Sequence, residues 1–167
     1  LAMQSDVLVE NFRPGTLKKF GLDFETLHEL NPRLVYCSIS GFGQTGPLKD
    51  MPGYDFMIQA MGGIMSVTGE PDGEPMKVGV AVADLFAGQN AVISILAALQ
   101  ARNITGEGQY IDIALFDSEL GWLANVASNF LISGKNPKRY GNAHANIVPY
   151  QSFQARDGWF VVAVGND

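Results

Sequence analysis

The sequence is poor in cysteine, poor in histidine and short of positive charge. A single cysteine, Cys37, excludes a disulfide framework and a thiolate metal set. Its place in an apolar run marks it as a packed core thiol, which suits a reducing, cytoplasmic setting. The two histidines supply no metal site: His28 falls in a short helical piece and is expected at the surface, His144 falls in a linker, and no second ligand is spaced from either. No metal is expected. Eleven Lys and Arg against seventeen Asp and Glu leave a net charge of −6. That balance argues against nucleic acid as a partner, because such affinity comes from clustered cations neutralising phosphates. Any anion site must be local. Residues Leu1 to Gln4 hold neither a basic region nor an apolar targeting core, and the chain is expected to begin inside a fold. Asn103-Ile104-Thr105 matches a glycosylation acceptor, a match frequent by chance, and nothing else reads as secreted.

What is present is enough apolar material for one core: 167 residues, 47% hydrophobic and 17% charged. Its most apolar stretch, Val78 to Gln100, contains one charge, Asp84. The stretch is long enough to raise a membrane span, but Asp84, Gln89, Asn90 and Ser94 interrupt it and aromatic anchors are missing from its flanks. It is expected to be a buried helix, with no membrane partner. Small and β-branched residues before Asp84 read as the end of a buried strand, and the alanine-rich run after it as helix. Asp84 then sits at a helix start, where free N–H groups and the dipole can hold a carboxylate charged. Two roles are open and compatible: the N-cap of that helix, or a nucleophile toward an activated acyl carbon.

Along the chain, Asp6 to Asn11 reads as a strand, Thr16 to Gly21 and Asp23 to Leu30 as short helical pieces, and Leu34 to Ser40 as a second strand. Two apolar strands joined through helix imply parallel pairing, with ligands collecting beyond the carboxyl ends. A helix over Tyr54 to Met61 is expected to bury Phe56, Met57, Ala60 and Met61. Thr105-Gly106-Glu107-Gly108 closes the long helix ahead of a strand from Tyr110 to Leu115, followed by one helix over roughly Ser118 to Ile132. From Ser133 to Val148 the composition shifts to that of a linker, placing a domain boundary near Val148. Tyr150 to Ala155 and Trp159 to Val164 read as a hairpin, two strands that cannot stand alone and so begin a further small domain over 149–167.

Two segments could carry chemistry. Gly41-Phe42-Gly43-Gln44-Thr45-Gly46 fits the dinucleotide fingerprint G-x-G-x-x-G, but Pro47, Pro52 and Gly53 leave no helix for the third glycine to open. A loop allowing close backbone approach fits better. Glu10-Asn11-Phe12-Arg13-Pro14-Gly15 places an amide, an aromatic ring and a guanidinium after a strand end, with Lys18 and Lys19 a turn later. These parts suit a nucleotide's base, ring face and phosphates, and equally a solvated loop beside a basic helix face.

Taken in order, Glu-Asn-Phe-Arg-Pro-Gly at 10–15, Ser-Ile-Ser-Gly-Phe-Gly-Gln-Thr-Gly-Pro at 38–47, Gly-Tyr-Asp at 53–55, Ala-Asp at 83–84, Gly-Glu-Gly-Gln-Tyr-Ile-Asp at 106–112 and Gly-Asn-Ala-His at 141–144 resemble the family III CoA-transferases, the CaiB/BaiF group. That group includes formyl-CoA transferase, the carnitine CoA-transferases and α-methylacyl-CoA racemase. The resemblance implies that Asp84 is the catalytic nucleophile, that Asn11 and Phe12 contact CoA with Arg13 and Lys19 near its phosphates, and that Tyr54 lies at the thioester end. It implies CoA and acyl-CoA as substrates, not a permanently bound cofactor, a carboxylic acid acceptor, and an interlocked homodimer. Racemases of the family carry a His where this chain has Tyr54, and phenols hold their proton far above neutral pH, so a transferase is favoured over a racemase. The family's first strands should precede Leu1 and the rest of its small domain follow Asp167, so the chain resembles a fragment that would associate and be inactive alone. A non-catalytic CoA-binding fragment is the other alternative.

The fold expected is α/β: a partial Rossmann-like parallel sheet with flanking helices over 1–148, part of a large CoA-binding domain, leading into a truncated small α+β domain.

Overall fold

The computed structural model describes residues 1–166. Along the chain run β1 (Val7–Glu10), α1 (Phe24–Leu30), β2 (Val35–Ser40), α2 (Asp55–Met61), α3 (Ile64–Val67), α4 (Val82–Thr105), β3 (Tyr110–Ala114), α5 (Leu115–Trp122), α6 (Ala124–Ser133), β4 (Tyr150–Gln154) and β5 (Trp159–Ala163). Short 3-10 turns occupy Ala2–Gln4 and Leu17–Phe20. The first three strands form one parallel sheet in the order β1-β2-β3, with Val7 opposite Val35 and Tyr36 opposite Tyr110. This is the α/β architecture that helix-linked apolar strands require.

Alternation along β2 divides the core between the sheet's faces. Cys37 packs with Ile58, Ala83, Ala87, Ala91, Ile113 and Leu115, under α2, α4 and α5. On the other side, Tyr36 packs with Leu27 and Leu34, with Phe24 against them. Asp23 starts α1 by accepting the Thr26 N–H at 3.2 Å. At the far end of α4, Gly106 takes a left-handed φ of 81°, the conformation that ends a helix without a Cβ clash. Arg102, in that last turn, donates to the Arg33 carbonyl at 2.8 Å and pairs with Asp6 at 2.9 Å, tying the helix to the entry of β1 and β2.

Five sequence expectations are corrected here. Residues 78–81 form no strand; the Val78 N–H is taken at 2.8 Å by the buried side chain of Gln59, so this backbone is satisfied by α2 and not by a sheet neighbour. Nor is α4 buried all round. Its alanines 83, 87, 91 and 98 face the core, while Leu85, Val92, Ile93 and Leu96 are exposed. The helix is apolar and long enough to cross a membrane by length and composition, yet most of it is not buried. Small side chains let it lie close on the sheet, with Val82 and Ile95 also turned inward, and most of the bulky ones point away. On α2 the buried residues are Ile58 and Gln59, whereas Phe56 and Met61 are exposed, because its inner face is set by Asp55 and Gln59 bonding toward α4. The helix expected over 118–132 is two, broken where Ala124 adopts a φ of 45°. His28 is half-buried and lies on the Phe24 ring, centroids 4.9 Å apart.

Beyond α6 the chain is irregular until β4 and β5 pair antiparallel as a separate two-stranded sheet, Tyr150 opposite Ala163 and Gln154 opposite Trp159. The turn is closed by the Ala155 N–H donating to the Gly158 carbonyl at 2.8 Å.

Candidate active site

A cavity of about 570 Å³ opens at the carboxyl end of the parallel sheet, where such sheets collect ligands. Asn11, Phe12 and Arg13 reach it from the end of β1, Tyr54 from the start of α2, and Asp84 from the start of α4. Five of the six residues singled out by sequence therefore share one wall. Lys19 does not line the cavity: it is exposed on the turn Leu17–Phe20. Its neighbour Lys18 joins Arg13, Tyr36 and Tyr110 around an adjoining cavity of about 350 Å³. Arg13 is common to both spaces.

The loop after β1 is drawn in by Glu10, whose carboxylate accepts the Phe12 N–H at 2.8 Å, and the Phe12 ring is left 54% exposed, free to cover an apolar ligand face. The floor is backbone. A Cβ on Gly41 would lie 2.5 Å from the Cα of Gly53, and one on Gly53 would lie 2.3 Å from the Cα of Gly41, so only glycines allow these segments to touch. Gly43, at φ 81°, turns the loop so that the Gln44 N–H reaches Asp112 at 2.9 Å. No helix opens at Gly46, so the helix N-terminus on which a pyrophosphate would rest is lacking there.

Asp84 is the third residue of α4 and exposed toward the cavity, not the N-cap expected; Ala81 holds that position and caps nothing with its side chain. The cap comes from α2. Asp55 accepts the Ala83 N–H at 2.8 Å and the Gln59 amide at 2.7 Å, and Gln59, fully buried, accepts the Val78 N–H. Desolvation first, and the Asp55 charge second, hold the Asp84 carboxyl above the usual carboxylate range. A carboxylate of raised basicity is, once ionised, the better nucleophile, and the helix N-terminus holds it in place.

Two groups escaped the sequence reading. Asp55 stood within a quoted motif, but capping across helices leaves no local pattern. Glu119, on α5, is 1% exposed with neither carboxyl oxygen hydrogen-bonded, and burial first, then Asp55, pushes it up to about 7. The run Leu115 to Leu123 holds two carboxylates, Asp117 and Glu119, and the sequence does not say which of them is buried.

The whole chain, residues 1–167, matches the family described as CoA-transferase family III. A succinate–glutarate CoA-transferase of Agrobacterium fabrum is 56% identical over all of this chain and 42% of its own length. The succinyl-CoA:glutarate CoA-transferase of Homo sapiens is 45% identical over all of the chain and 38% of its own, and the acetyl-CoA:oxalate CoA-transferase of Acetobacter aceti 46% over 43% of its own. The chain thus spans about two fifths of the length of these curated relatives. Among solved structures, a CAIB/BAIF family protein from Brucella suis superposes with a TM-score of 0.91 at 59% identity, covering 99% of this chain and 44% of that one. A match that runs from the first residue to the last makes the chain a member of CoA-transferase family III.

Proposed function

We propose that this chain carries the reacting carboxylate of an enzyme that moves CoA between carboxylic acids. The observation that carries the reading is the convergence of Asp84, Tyr54 and the Asn11-Phe12-Arg13 loop on one cavity at the carboxyl end of the sheet. In the reaction proposed, an Asp84 oxygen attacks the acyl-CoA carbonyl carbon, the C–S bond breaks, and CoA leaves as thiolate, giving an aspartyl mixed anhydride. Thiolate attack on the Asp84 carbonyl then releases the first acid as carboxylate and forms an aspartyl thioester. An incoming carboxylate reverses both steps, and the Asp84 carboxylate is regenerated. No net proton is taken up or lost. Backbone N–H groups of the touching glycine segments are suited to stabilise the developing oxyanion.

Asn11 and Phe12 hold the CoA moiety, and Arg13, standing between two adjoining cavities, meets its phosphates. Lys19 would reach a phosphate only outside the cavity wall. The relatives' names, with succinate, glutarate and oxalate in them, favour a dicarboxylate as acceptor. Tyr54 at the mouth supports transfer over α-proton exchange, since a phenol is a weak base near neutral pH. The separate β4–β5 sheet supports residues 149–167 as the start of a second domain, and a cytoplasmic homodimer remains the setting proposed.

The test is trapping. Full-length protein incubated with succinyl-CoA and then hydroxylamine or borohydride should be modified on the peptide containing Asp84. Modification of Asp117 with Asp84 intact would overturn the assignment.

A further inference from the structure

On α5, packed against the end of α2, lies a buried carboxyl group that the proposed transfer chemistry does not use. Glu119 is closed between α5 and α2, 1% exposed, with no hydrogen-bond partner for either oxygen. Its carboxyl group presses on the backbone at the end of α2: a Cβ on Gly62 would lie 2.3 Å from Oε2 and 2.8 Å from the carboxyl carbon. An ionised carboxylate left so dry and unpaired is costly, and a neutral acid is tolerated. Burial acts on it first, and the Asp55 charge second. Among the described residues no cation pairs with it: α3 and α6 carry no titratable side chain, α5 otherwise carries only Asp117, which is exposed, β3 carries Tyr110 and Asp112, and α4 carries Asp84 and, at its far end, Arg102, committed to Asp6 and Arg33.

We propose that Glu119 is a positioning residue that works as a neutral acid, seating the end of α2 against α5 so that Asp55 stays on the Ala83 N–H and Asp84 stays aimed into the cavity. Ionisation of Glu119 sets a second negative charge behind Asp55 and drives the group toward water, which loosens that seat. The link to reactivity rests on reading Asp84 as the reacting carboxylate, but the link to Ala83 does not. A packed acid of this kind converts a pH change near neutrality into a displacement at the start of α4.

The seat can be tested in the full-length protein without turnover. With carboxyl-13C-labelled glutamate, Glu119 should titrate near neutral pH, apart from the other glutamates. Hydrogen-exchange protection at the Ala83 amide, corrected for intrinsic rates, should fall about tenfold between pH 6 and 8, the equivalent of one pKa unit of coupling. In Glu119→Gln, which keeps the shape and cannot ionise, protection should be flat over the same range. Titration of Glu119 among the ordinary glutamates overturns the proposal even if that variant fails to fold, and so does an unchanged pH profile in a folded Glu119→Gln. In the full-length protein, Asp84 adduct formation should lose its neutral-pH inflection in Glu119→Gln. A protein that shows the Ala83 coupling but never labels Asp84 would refute the transferase reading and leave the seat standing.

Discussion

Asp55 accepts the backbone N–H of Ala83 at 2.8 Å, so the helix bearing Asp84 is capped by a side chain from a different helix. The Asp84 carboxylate and its like-charged neighbour are thereby bound to the same turn. Capping fixes where α4 begins, and the cap's charge helps raise Asp84.

Replacing Asp84 with Asn should abolish transfer, a loss on the order of a thousandfold or more, as for other covalent nucleophiles. Helix content should be unchanged, since Asp84 makes no capping bond. Rates from a succinyl-CoA to glutarate assay on the full-length protein, with circular dichroism alongside, check this.

Asn11→Ala and Phe12→Ala should each weaken CoA binding by roughly tenfold, the scale of one hydrogen bond or one stacked ring. Titration calorimetry with CoA is the measurement. Unchanged affinity in both variants would remove the β1 loop from the site.

Asp55→Asn should move the Asp84 carboxyl down toward the usual range, because the like charge beside it is gone. The helix start should weaken by roughly 0.3–1 kcal/mol, because Asn can still accept the Ala83 N–H while the negative charge at the helix N-terminus is lost. NMR titration of Asp84 and denaturant unfolding report the two effects separately.

Stability should depend on Glu119 in a definite window. Its folded value is raised to about 7 from 4.5, so its contribution is complete below about 4.5 and is lost as pH rises to about 7. A shift of that size corresponds to about 3 kcal/mol. Urea unfolding at pH 5 and pH 8 should show the drop in the native chain, and Glu119→Gln should largely remove it.

Much of the fold was readable because β1, β2 and β3 are apolar runs punctuated by polar turns, and such runs joined through helix have few alternatives. The errors arose where distant side chains replaced local signals. Val78 to Ala81 looks like strand, but Gln59 takes the hydrogen bond that a sheet neighbour would have taken. The break at Ala124 has only Gly121, three residues earlier, to announce it. Around the cavity, Asn11, Phe12 and Arg13 were legible as a chemical set after a strand end, and Asp84 as a charge in apolar surroundings. Glu119 was not, because a buried, unpaired acid is recognised only once its neighbours are known. Lys19 was named through the family resemblance, and its direction depends on the turn Leu17–Phe20, which a motif match does not reveal.

The long helix is held at both ends, by Asp55 on Ala83 and by Arg102 on the strand entries. Those two anchors are about 29 Å apart along the axis at 1.5 Å per residue. Adding or deleting one residue between them would swing Asp84 by about 100° relative to Arg102. Either an anchor would break or the carboxylate would leave the cavity. Point substitutions on the outer face of α4 should therefore be tolerated far better than any change in its length, which makes the residue count of this helix a dimension of the site.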